Sequence, residues 1–272
     1  MVKISILVPA RDEKYLDKTI DDILKHKESD TEILVGLDGW TKDYRMRNLP
    51  NVEYIWKDKS IGQRAITNEL ARLSEADYVM KIDAHVSFSQ GFDRIMLEDI
   101  DDRTILAPRL MPLDAEKWEI PLITPASSYA FDTNLVFQYH PKGENSELLN
   151  ETMCLQGSAW MITRENYWKW NICDESLGSW GGQAAELGIK AWLNGGRCAT
   201  AKKVYYAHMF REKESQFPYQ RNKEHIRATL NELRKRYLNK KIAGLIEKFN
   251  YPCDWNKERV AQLASLRTPL CE

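Results

Sequence analysis

The first 85 residues alternate short apolar runs with amphipathic stretches, and the apolar runs stop on acidic or imidazole side chains. "KISILVPARDE" has the character of a buried parallel strand that opens into a loop at Pro-Ala-Arg-Asp. "YLDKTIDDILKH" sets Leu16, Ile20, Ile23 and Leu24 on one helical face, and "TEILVGLDG" is a second buried strand stopping at Asp38. "VEYIWK" makes a third strand and "IGQRAITNELARLSE" a helix with Ile66, Leu70 and Leu73 on one side. "DYVMKIDAH" makes a fourth strand ending in Asp83-Ala84-His85. This alternation predicts an α/β fold built on an open, mostly parallel sheet. Such sheets bind ligands beyond the carboxyl ends of their strands, which puts Asp12, Asp38, Asp83 and His85 on one rim.

From Leu106 to Asn150 the periodicity fades among Pro108, Pro112, Pro121, Pro125 and Pro141, which predicts short edge strands and loops. "SAWMIT" then reads as a strand, "GGQAAELGIKAWLNGG" as a helix between glycines, and "RCATAKKVYYAHMFR" as a strand that ends near His208. Beyond Phe217-Pro218 the spacing of Ile226, Leu230, Leu233, Tyr237, Ile242 and Ile246 predicts helix. The expected organisation is a main domain over residues 1–215 and a C-terminal helical extension over 216–272.

Asp83-Ala84-His85 carries the sharpest local chemistry. Alternate residues of an extended segment point the same way, so a carboxylate and an imidazole can share one ligand there. Mn²⁺ and Zn²⁺ accept such mixed N/O donors, whereas Mg²⁺ and Ca²⁺ prefer all-oxygen sites. The same residues also suit a turn cap beside an ordinary loop histidine.

Several motifs taken in order resemble a known family. "VPARDE", "LDG", "IGQRAITNELARLSEADYV" and "KIDAH" resemble the sheet-edge pattern of the GT-A nucleotide-sugar glycosyltransferases, with an N-terminal half like that of family 2 enzymes. "WGGQAAELGIKAWLNGG" followed by "VYYAHMFR" is similar to the Trp-Gly-Gly-Glu-Asn-x-Glu, Trp-x-x-Gly-Gly and His-x-Phe-Arg motifs of the polypeptide N-acetylgalactosaminyltransferases. The resemblance spans roughly residues 2 to 211 and keeps both glycine pairs.

The resemblance implies a GT-A (Rossmann-like) fold and transfer of a sugar from a nucleoside-diphosphate-sugar, UDP-linked in the first instance, to a hydroxyl of a larger acceptor. Position by position, it implies Asp83, His85 and His208 as ligands of Mn²⁺ or another divalent cation. It places Pro9, Ala10 and Arg11 along the nucleoside, Asp38 on the base, and Arg64 near the base or diphosphate. Trp180, Gly181 and Gly182 would form the turn beside the sugar, with Glu186 facing the same pocket and Arg211 opening a lid over the donor. Asp38-Gly39 also suits a plain turn, Trp180 a core aromatic, and the arginines solvated helix flanks.

Gln183 and Ala184 depart from the family, standing where Glu and Asn are expected. An inverting enzyme needs a carboxylate base at that stretch, so the departure favours retention of configuration, with Glu186 as a substitute base if inversion occurs.

Lys plus Arg number 39 against 40 for Asp plus Glu, so no global positive field draws the chain to nucleic acid or anionic lipid. A DNA acceptor would have to be met locally, and "RKRYLNKK" with Arg221, Lys223 and Arg227 is the dense basic candidate. Five cysteines at irregular spacing suit a reducing compartment. No run approaches the roughly 20 apolar residues of a membrane span, and the first apolar run, Ile4 to Val8, leaves no room for the charged region and apolar stretch expected of a secretion signal.

A cytoplasmic protein in a prokaryotic or viral setting is expected, with the acceptor open among a protein Ser or Thr, a glycan, a small metabolite and a hydroxymethylated DNA base. Oligomeric state is left open. A competing class is an inactive nucleotide-sugar or carbohydrate-binding module on the same fold. A nucleotidyltransferase would need a Gly-rich phosphate loop, and "VPARDEKY" has no glycine.

Overall fold

The computed structural model describes residues 2–266 apart from Glu212, Gln220 and Arg221. Its first half follows the alternation: β1 (Ile4–Ala10), α1 (Leu16–His26), β2 (Thr31–Asp38), β3 (Val52–Lys57), α2 (Gln63–Leu73) and β4 (Tyr78–Ile82). After these come β5 (Val86–Phe88), α3 (Phe92–Asp99), β6 (Thr104–Pro112), β7 (Tyr129–Phe131), β8 (Phe137–Tyr139), β9 (Leu149–Thr152), β10 (Ala159–Thr163) and α4 (Arg164–Lys169). The chain then forms α5 (Gln183–Leu193), β11 (Arg197–His208), α6 (Lys223–Tyr237), α7 (Lys240–Lys248) and α8 (Lys257–Ser265).

Nine strands make one sheet in the order β3-β2-β1-β4-β10-β6-β11-β5, with β9 added beside β11. β1 to β4 run parallel, and the Ile, Leu and Val side chains of β1, β2 and β4 are buried, whereas those of the edge strand β3 are half-buried. β10 is antiparallel to both neighbours, so the second half of the sheet is mixed. The strand order reverses at β1, between β2 and β4, which opens a crevice at their carboxyl ends.

The proline-rich middle supplies the short edge strands β7, β8 and β9, and one strand departs from the expectation. β6 is an interior strand despite Pro108, lying between β10 and β11. Proline has no N–H to give the ladder. The β6–β11 register breaks just after Ala201 meets Pro108 and resumes at Tyr205 opposite Arg109. This bulge lets β11 pair with β9 in its first half and with β5 in its second, which carries His208 to the crevice.

The C-terminal helical stretch breaks at Leu238, and Asn239 caps the next helix by accepting from the Lys241 amide at 2.9 Å. Leu233, Ile242, Ile246, Trp255 and Val260 join the same apolar core as the sheet. The Trp255 indole donates to the Phe131 carbonyl at 3.0 Å, and the Asp254 carboxylate accepts from Thr133.

A buried ion pair ties α2 to α5. Arg64 Nε and Nη2 lie 3.0 and 2.9 Å from Glu186 Oε2, and both side chains are shut off from solvent. Glu186 Oε1 accepts from Lys190 Nζ at 2.7 Å and from the Asp174 amide at 2.9 Å. Breaking a buried pair strands its partner charges and costs about 3–5 kcal/mol. Glu186→Gln is therefore expected to lower the urea-unfolding midpoint by a stability loss of that order, and an unchanged midpoint would show that the pair does not carry this part of the fold.

Candidate metal and nucleotide site

Asp83 follows β4, His85 precedes β5, and His208 ends β11 opposite Val86. Residues 83–85 bend out of the sheet rather than extending β4, and the bend turns both side chains toward β11. Asp83 Oδ2 lies 3.1 Å from His208 Nε2 and 3.9 Å from His85 Nε2. All three candidate donor atoms fall within 4.8 Å of one another. The His85 ring is oriented from behind, since its Nδ1 meets Glu13 Oε2 at 3.0 Å and so leaves Nε2 facing the other two donors.

Charge keeps these groups in ligand form. Burial would raise the Asp83 carboxyl, but the Lys81 ammonium, the His208 hydrogen bond and the nearby imidazoles outweigh it and hold it well below the usual carboxylate range. Burial and the His85 charge push His208 down to about 4 against the pull of Asp83, so its ring is neutral at pH 7. Glu13 is likewise held low, because His85 and Arg211 overcome its desolvation. An ionised carboxylate with a neutral imidazole is a donor set that suits a divalent transition-metal ion.

These residues form the floor of a cavity of about 490 Å³. Pro9, Ala10, Arg11, Asp38, Gly62, Gln63, Trp180 and Arg211 are among its other walls. Arg11 stacks its guanidinium over the Tyr219 ring at 5.4 Å, and Arg211 lies over Phe217 at 5.3 Å while pairing with Glu13. Among the described residues, Arg11 Nε and Arg211 Nε are buried without a hydrogen-bond partner. Unpaired buried N–H groups at a cavity wall favour an anionic ligand.

Other positions expected at the site make contacts within the protein. Asp38 lines the cavity, but its carboxylate already accepts from Ser60 Oγ at 2.7 Å and from the amides of Ile61 and Gly62 at 2.7 and 3.0 Å. It anchors the loop that starts α2. Arg64 and Glu186 do not reach the cavity: the pocket-facing position expected of Glu186 and the ligand-facing position expected of Arg64 are replaced by their mutual burial. Arg64 instead donates to the carbonyls of Gly178 and Gly181 at 3.1 and 2.6 Å. It thereby braces the turn in which Gly181 and Gly182 have φ of 105° and 64°, values that suit glycine.

That turn exposes Trp180 to the cavity and is backed by α6, because a side chain at Gly182 would strike Leu233 at 2.6 Å. Gln183, the first residue of α5, packs against Gly157 and donates to Cys173 Sγ at 3.4 Å. Sequence reasoning passed over Glu13 and Lys81, although both lie within the motif runs and Lys81 stands two residues before Asp83. In the basic cluster, Arg234 and Arg236 are engaged with Asn134, Glu232 and Asp174, and Arg221 lies outside the described residues.

Residues 5–170 match glycosyl transferase family 2. The chain is 26% identical over 178 residues to N-acetylgalactosaminyltransferase 6 of Drosophila melanogaster, an overlap of 61% of this chain and 25% of that protein. Among solved structures, GalNAc-T7 with UDP, GalNAc and Mn²⁺ superposes with a TM-score of 0.72 at 15% identity, covering 91% of this chain and 48% of that one. TarS 1–349 of S. aureus in complex with UDP-GlcNAc superposes at 0.60 and 17% identity, covering 97% and 70%. These superpositions show a shared GT-A fold, and the chain spans about a quarter to a third of the curated relatives it matches. With most of its sheet and the rim residues up to Asp83 and His85 inside the matched segment, the chain belongs to glycosyl transferase family 2.

Proposed function

We propose that this protein transfers a sugar from a UDP-sugar to an acceptor hydroxyl with retention of configuration, using a divalent cation, Mn²⁺ in the first instance, held by Asp83, His85 and His208. The observation that carries this reading is the convergence of those three donors at the floor of a cavity walled by Arg11 and Arg211, whose Nε groups lack partners among the described residues. When bound, the metal supplies positive charge to the departing diphosphate. Arg11 and Arg211 add fixed cations on the same side, and the Trp180-Gly181-Gly182 turn brings backbone close to the sugar position.

Retention is supported by where the carboxylates stand. Among the described residues, those lining the cavity are Glu13, Asp38 and Asp83, and each is committed to a cation, an imidazole or a backbone loop. Gln183 and Ala184 offer no base at the start of α5, and Glu186 is buried away from the cavity. An acceptor hydroxyl attacking from the opposite face would find no free carboxylate to take its proton. No helix among the described residues is long and apolar enough to cross a membrane, and we extend the proposal to a cytoplasmic enzyme.

A screen of UDP- and GDP-sugars with Mn²⁺ is expected to show slow nucleoside diphosphate release from one donor. Asp83→Ala and His208→Ala should each abolish Mn²⁺-dependent UDP binding by calorimetry while the thermal melt stays cooperative. Unchanged binding in both variants would remove the metal assignment. Proton NMR of fresh product is expected to show an α-linkage from a UDP-α-sugar, and a β-anomer would establish inversion instead.

A further inference from the structure

Asp83 is the one carboxylate among the three candidate ligands, and its two oxygens face different ways. Oδ2 lies toward His208 and His85, whereas Oδ1 accepts from Lys81 Nζ at 2.5 Å. Lys81 is fully buried in β4, and its ammonium gives a second hydrogen bond to the Gly157 carbonyl at 2.8 Å. A buried ammonium held by two acceptors has no solvent to retreat into when a dication arrives.

We propose that Lys81 is an internal cation that reserves Oδ1, confines Asp83 to single-oxygen coordination through Oδ2, and makes divalent-cation binding depend on the diphosphate of the donor. The inference rests on reading Asp83, His85 and His208 as the cation site. Around that site each carboxylate is matched by a cation, Asp83 by Lys81 and Glu13 by Arg211. The protein alone thus presents little net negative charge to a free dication. A nucleoside diphosphate brings the missing charge, so metal and nucleotide each raise the affinity for the other by the same factor. Lys81 acts through Asp83, and its role is that of a positioning residue.

The test is a Mn²⁺ titration of the full chain, read from the electron paramagnetic resonance signal of free Mn²⁺, with and without UDP. The native chain should bind Mn²⁺ weakly alone and about tenfold or more tighter with UDP. Lys81→Met frees Oδ1 and removes the repulsion, so it should tighten Mn²⁺ binding without UDP by about tenfold or more and shrink the effect of UDP. Lys81→Arg keeps the charge and should keep the native coupling. A Lys81→Met variant that binds free Mn²⁺ no tighter than the native chain overturns the proposal, and so does a native chain whose Mn²⁺ affinity is indifferent to UDP. The second measurement needs no variant, so the dependence on UDP can be overturned even if Lys81→Met does not fold, and Lys81→Gln, which removes the charge but keeps a hydrogen-bond donor, then tests the residue by the same titration. Absence of Mn²⁺ binding in the native chain with UDP would overturn the cation site itself and this inference with it. Binding that Asp83→Ala abolishes and Lys81→Met leaves unchanged would overturn the role of Lys81 alone.

Discussion

Arg64 and Glu186 bring two opposite charges into the interior between α2 and α5, and much of the architecture around the cavity is arranged to satisfy them. Removing such ions from water costs several kcal/mol each, so the pair is tolerable only if its remaining donors and acceptors are filled. Lys190, the Asp174 amide and the carbonyls of Gly178 and Gly181 fill them. The consequence is a turn held from below by a guanidinium and covered by Ile226, Leu230 and Leu233 of α6, which pack where glycine leaves room. Helix α6 is thereby part of the cavity's support, and residues as late as Asn222, His225 and Ile226 line the cavity itself.

The same principle of matched charge governs the crevice rim. Glu13 stands between His85 and Arg211, Asp83 between Lys81 and His208, and Asp38 holds a backbone loop. With the carboxylates so committed, the unsatisfied groups at the wall are donors. A cavity of this polarity attracts an anion and offers little to a free proton acceptor's role, which is why the proposed chemistry relies on stabilising a leaving group rather than on a base. Preorganised donors need no reorganisation as charge develops.

The sheet is common to enzymes that share little sequence with this chain, as the superposition on GalNAc-T7 at 15% identity shows. A shared fold does not specify a reaction; the site does. The features that matter are accordingly local: Gln183 and Ala184 at the start of α5, and Lys81 inside β4. Each bears on the charge or the proton-accepting capacity around the crevice rather than on the strand order.

The β-α-β opening and the rim that gathers Asp38, Asp83 and His85 were legible in the sequence, because a buried parallel strand leaves a continuous apolar run that must end on a polar loop; Asp12, expected on the same rim, instead accepts from Thr41 and the Lys42 amide and does not line the cavity. The pairing of Asp83 with the distant His208 was also legible, though through resemblance rather than periodicity. Other features depended on contacts between segments far apart. Pro108 argued for an edge strand, yet the register shift in β11 accommodates its missing N–H and lets β6 lie inside the sheet. A carboxylate one turn into α5 reads as pocket-facing until Arg64, 122 residues earlier in the chain, claims it. Local patterns reflect the backbone's period and its turns, so they determined the strands, the helices and the polar ends. Which charges neutralise one another is a matter of through-space distance and desolvation, and only the tertiary structure decided that.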